Sequence, residues 1–215
     1  MKYLKKSFAL SVIFTILAMV VYSSYEPTFV DAQSANDTVV VTLNVTAGIS
    51  ITSPTDITMS TSLGVAQNSA IGTTTWNVKT NAAGGYTLAV NSTGTPAMIQ
   101  SGGTPFINDL QTGSPSPWTA TSGAAYFGYS GYGTDVSTGT WGTGSACSGA
   151  GGPHATSTTL RYKGFTTSPV TIASRAATTT PTGVDSTVCF AVEQAGVYVP
   201  SGTYRATIVA TATAL

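Results

Sequence analysis

The chain has 215 residues, of which 7% are charged, and eight Lys and Arg balance eight Asp and Glu. A neutral chain with no basic patch argues against nucleic acid or an anionic membrane as partner, and an apolar content of 42% argues against disorder. The polar surface then falls to Thr, Ser, Asn and Gly; Thr favours strands, so the composition points to an all-β extracellular protein.

At the N-terminus, Lys2, Lys5 and Lys6 precede an apolar run from Ser7 to Tyr22, and Val30-Asp31-Ala32 fits a small-x-small cleavage pattern. This predicts a secretory signal peptide over 1–32, so that the chain meets a membrane only during export. The alternative is a retained anchor, but the apolar run is shorter than the roughly 20 residues a span requires. Residues 33–215 then fit one secreted or cell-surface domain.

The next stretch, Thr38 to Ala47 (TVVVTLNVTA), alternates: Val39, Val41, Leu43 and Val45 share one face, with Thr38, Thr42, Asn44 and Thr46 opposite. Period two predicts a strand with one buried face. GISIT and ITMS follow, separated by a turn at SPTD. Thr73 to Asn81 (Trp76 and Val78 apolar) and Tyr86 to Ser92 (Tyr86, Leu88 and Val90 apolar) flank an AAGG turn, which predicts a β-hairpin.

Residues 91–157 differ in kind. They are rich in Gly, Ser, Thr and Pro with interspersed aromatics, and only AAYFGYS (Ala124 to Ser130) has a strand pattern. The rest is expected as a loop-rich insertion at one end of the domain. Beyond it, Thr159 to Thr166, Ser168 to Ser174, Ser186 to Gln194 and the closing run GTYRATIVATATAL are expected strands. In the last, Tyr204, Ala206, Ile208, Ala210, Ala212 and Ala214 share a face. Short strands and turns at regular spacing predict an Ig-like, Greek-key antiparallel β-sandwich over 33–215.

Cys147 and Cys189 are the only cysteines. In an exported chain they are expected to pair, closing a loop of about forty residues and adding roughly 3–4 kcal/mol; in a reducing compartment they would remain free thiols. Beyond the leader there is one histidine, His154 in a Gly/Pro loop, and one glutamate, Glu193. No nucleophile elbow, convergent carboxylate pair, calcium loop or phosphate-binding strand–loop–helix is recognisable. No catalytic residue, metal ligand or cofactor is therefore assigned. The candidate ligand contacts are Trp118, Tyr126, Tyr129, Tyr132 and Trp141, which on exposed loops would stack on sugar rings or on a protein. The competing reading makes them a satellite core. Asn36, Asn44 and Asn91 each open an N-x-[ST] sequon.

The segments TWNVKTNAAGGYTLAV and VPSGTYRATIVATATA resemble small secreted bacterial surface β-sandwich proteins of the WxL-domain type, through Trp76-Asn77-Val78 and Ser201-Gly202-Thr203-Tyr204. Val78 stands where that family has Leu, and the last strand has no second Trp-x-Leu, so wall binding is not carried over. The resemblance implies a surface or secreted location. Sandwiches of the pilin and spore-coat kind, which assemble by strand addition, are a second likeness. Two functions follow: a non-catalytic structural or assembly subunit of a surface layer, coat or filament, in which Thr38 to Ala47 pairs within its own domain or is donated to a neighbour; or an adhesin that uses the aromatic loops. A hydrolase is a distant third. The expected partners are other surface proteins, copies of the chain itself, and cell-wall or host glycans.

Overall fold

A computed structural model describes residues 2–24, 37–147 and 159–215, with side chains from residue 10 onward. The expected cleavage point at Ala32, the sequon at Asn36 and His154 lie outside the described residues. The chain divides into two units, Met1–Asn44 and Val45–Leu215.

In the first unit, α1 spans Lys2–Ser23. Among the described residues no helix is long and apolar enough to cross a membrane. Residues 37–44 then have neither helix nor strand, and their side chains are exposed. The strand expected over Thr38 to Ala47 is thus corrected. Its alternation is intact, but no described residue forms a ladder with it, and a strand exists only by its ladder.

The second unit carries two sheets. In chain order its elements are β1 (Ile49–Ile51), β2 (Ser69–Thr80), β3 (Tyr86–Ser92), β4 (Met98–Gln100), β5 (Phe106–Asp109), β6 (Ala124–Gly133), α2 (Thr138–Trp141), β7 (Val170–Arg175), β8 (Val184–Ala195), β9 (Tyr204–Arg205) and β10 (Ile208–Ala214). One sheet has seven strands in the order β1-β2-β8-β6-β5-β4-β9, and the other has three, β10-β3-β7. The long ladders β2–β8 and β8–β6 form the spine of the larger sheet. All pairs are antiparallel except β5–β6, where Asn108 and Asp109 lie parallel to Tyr126 and Phe127.

The expected hairpin between Thr73 and Ser92 is also corrected. β2 and β3 belong to different sheets, so the turn at Ala82 to Gly85 is an arch across the core. Trp76 and Val78 on one side, and Tyr86, Leu88 and Val90 on the other, meet face to face in the same cluster. Gly85 makes the arch possible. It has φ +85°, and a Cβ there would lie 1.9 Å from the carbonyl oxygen of Arg175.

The insertion over 91–157 is no appendage, since it supplies β4, β5 and the central β6. Residues 159–166, expected as a strand, form isolated bridges instead: Lys163 to Tyr129 of β6, Tyr162 to Ser116, and Leu160 to Gly142 just after α2.

β8 shows why the larger sheet needs cover on both faces. Val188, Phe190 and Val192 join the main cluster shared with the small sheet. Cys189 and Ala191 join a second cluster with Leu110, Trp118, Leu160 and Tyr162. Every residue from Val188 to Val192 is consequently buried, the continuous apolar run of a strand covered on both faces.

Candidate functional site

The aromatic candidates divide between the two faces of β6. Phe127 and Tyr129 alternate onto the main core, whereas Tyr126 and Tyr132 turn toward the second cluster and are half-buried. Phe165 sits among the first set, with ring centroids 4.2 Å from Tyr129, 5.3 Å from Phe127 and 6.0 Å from Phe190. Trp141 on α2 tilts against Tyr129 at 5.2 Å. On the opposite face Trp118 meets Tyr162 edge-on at 5.3 Å, a favourable quadrupole arrangement.

Trp118, Tyr129 and Trp141 are therefore 8%, 1% and 1% exposed, and the expectation of exposed stacking platforms is corrected. The glycines around them permit close approach. A Cβ on Gly128 would meet Leu110 and the Lys163 carbonyl at 3.0 Å, and one on Gly164 would lie 1.8 Å from the Leu110 carbonyl oxygen. Tyr162 and Phe165, which tie this region together, fall within the run expected as a strand, but Phe165 lies out of step with the alternating Leu160 and Tyr162.

Most polar groups here are engaged, although the buried Ser130 hydroxyl on β6 finds no partner among the described residues. Cys147 and Cys189 form a disulfide with Cα atoms 5.5 Å apart, binding the loop after α2 to the sheet centre. The Trp118 indole N–H donates to Glu193, and the Lys163 ammonium donates to the carbonyls of Thr112 and Gly113. Burial lowers the Lys163 pKa. Burial raises the hydroxyls of Tyr86 and Tyr129 and, together with nearby Tyr132, pushes Tyr162 up to about 12. The Tyr86 hydroxyl donates to Asp135 at 2.8 Å, and Arg175 reaches the other oxygen of the same carboxylate at 3.2 Å. Among the described residues no three His, Cys, Asp or Glu side chains group to hold a metal ion.

A run of strongly exposed apolar side chains lies in the segment 39–45. Val39, Val40, Val41, Leu43 and Val45 are 82%, 88%, 88%, 82% and 75% exposed. The root of the segment is fixed, because Asn81 donates its side-chain amide to the Thr46 carbonyl at 2.9 Å and accepts from the Gly48 N–H at 2.6 Å. The sequon residue Asn44 is exposed within this segment, and Asn91 is half-buried on β3. Comparison with protein-family models, with curated proteins and with solved structures finds no match.

Proposed function

We propose that the chain is an exported structural subunit of a cell surface, built as an Ig-like sandwich behind a signal peptide, which assembles by donating the strand Thr38 to Ala47 to a neighbour. The observation that carries this reading is the alternating run Val39, Val41, Leu43 and Val45, at least 75% exposed and outside every ladder. Such a segment is a template for pairing with another chain, and soluble monomers rarely leave one uncovered. Main-chain hydrogen bonds give a donated strand its affinity, and alternate side chains give it register. The disulfide suits an oxidising compartment outside the cytosol. The WxL-type outline around Trp76 and Tyr204 suits a surface location.

Light scattering on the exported, processed protein tests this reading. Mass is expected to rise with concentration, with oligomers that resist SDS, and a variant lacking residues 38–47 is expected to remain monomeric. A processed wild-type chain that stays monomeric at the highest accessible concentration overturns the reading.

A further inference from the structure

Strand donation needs an acceptor edge. We infer that it is the free edge of β10, occupied by residues 38–47 of a second copy of this chain; the inference rests on the assembly reading. Four strands end the two sheets. In the larger sheet β1 has three residues and β9 two, too short to hold a partner. In the smaller sheet β7 is already blocked. The Ser174 N–H donates to the Asp135 carbonyl at 3.0 Å, Val136 bridges Ala173, and the Asp135 carboxylate is held by Tyr86 and Arg175. Shortness and a covering loop are two ways in which proteins protect sheet edges. β10 has neither protection. It is seven residues long and carries no charge, and among the described residues it pairs only with β3, while the short β1 lies close by without a ladder to it.

The register says which groups of β10 are available. The Thr93 N–H donates to the Thr207 carbonyl at 3.1 Å, and the Leu215 N–H donates to the Gly85 carbonyl at 3.0 Å. In an antiparallel ladder alternate residues face the partner. The odd-numbered residues of β10 therefore face β3, and Ile208, Ala210, Ala212 and Ala214 turn their N–H and C=O groups outward. The side chains of Ile208, Ala210 and Ala212 pack on the main core and stay half-buried. Three of the four outward residues are alanines, so this edge carries small apolar side chains.

The donor matches that edge. Val39, Val41, Leu43 and Val45 span seven residues with inward side chains at every second one, as Ile208 to Ala214 do. Large side chains on one strand meet small ones on the other, and neither carries charge. On the outer face Thr42 and Asn44 of the donor match Thr211 and Thr213 of β10 in kind, a favourable class of cross-strand pair. Asn81 pins the root of the segment to its own molecule while its apolar residues remain exposed, which suits delivery to another copy.

The test is complementation between two exported variants. Ala212→Pro removes an N–H that β3 does not use, at an edge position where proline is tolerated, and so blocks the acceptor only. Leu43→Asp disables the donor only. Each variant alone is expected to lose assembly completely and keep the wild-type melting temperature, whereas an equal mixture forms dimers and nothing larger. Thr211→Pro, whose N–H faces β3, is expected to lower the melting temperature. Undiminished oligomers in a folded Ala212→Pro overturn β10 as the acceptor but leave assembly standing. Absence of wild-type oligomers overturns the assembly reading itself. A mixture of folded variants that yields no dimer overturns exchange between copies in favour of closure on the same molecule. Should Ala212→Pro not fold, a peptide of residues 37–48 with a photocrosslinker at position 41 decides on the wild-type protein. Crosslinks within Ile208 to Ala214 are expected, and crosslinks elsewhere overturn the assignment.

Discussion

The aromatic wall around Phe165 and the alanine edge at β10 belong to the same hydrophobic cluster but end it differently. At the wall, Phe127, Tyr129, Trp141, Phe165 and Phe190 interlock, with Gly128 and Gly164 letting the neighbouring backbone approach, and the disulfide closes the opposite face of β8. At the edge, Ile208, Ala210 and Ala212 reach the core with too little side chain to finish it. A core closes where ring area and close backbone approach coincide. Where the smaller sheet ends in small, half-buried residues, the proposed donor strand would add larger apolar side chains.

Four measurements break or sharpen this contrast. Trp141→Ala should cost the most, about 3–5 kcal/mol in urea unfolding, because it removes a fully buried ring from a wall that cannot collapse into the gap. Replacing Cys147 and Cys189 by Ser should cost roughly 3–4 kcal/mol by the entropy of the loop they close. If it costs nothing, the wall does not depend on the staple. The third is alkaline destabilisation. Tyr162 titrates near 12 folded against its ordinary 10, so the folded chain holds a proton that the unfolded chain releases. Its contribution is whole below pH 10 and is lost as pH rises to about 12, a fall on the order of 2–3 kcal/mol, which Tyr162→Phe should remove. The smallest effect belongs to the open side. Leu43→Asp should leave the stability of the monomer within about 0.5 kcal/mol, because the side chain it replaces is 82% exposed.

Period-two alternation located β6, β7, β8 and β10, and the even cysteine count paired Cys147 with Cys189. Alternation names the face of a strand but not its neighbour. That is why the arch from β2 to β3 had the sequence of a hairpin: both place apolar residues at every second position around a glycine turn. It is also why Thr38 to Ala47 had the pattern of a buried strand although it has no partner. The aromatic region misled for another reason. Glycine beside Tyr and Trp suits exposed loops as well as a satellite core, whereas Gly128 and Gly164 serve close packing, and Phe165, out of step with Leu160 and Tyr162, lies at the centre of the ring cluster. The unpaired edge of β10 could not be read locally at all, since it follows from Asp135 and Val136 covering β7 while no described residue adds a ladder to β10 on its far side.

Hydrogen exchange on a chain of residues 33–215, compared between dilute and concentrated samples, tests the central claim most directly. The account predicts fast exchange at low concentration for the amides of 38–45 and for Ala210 and Ala212, with protection appearing at both together on assembly, while Thr211 and Thr213 are protected throughout. Protection of residues 38–45 already present in the monomer, or assembly that leaves Ala210 and Ala212 exchanging freely, would contradict it.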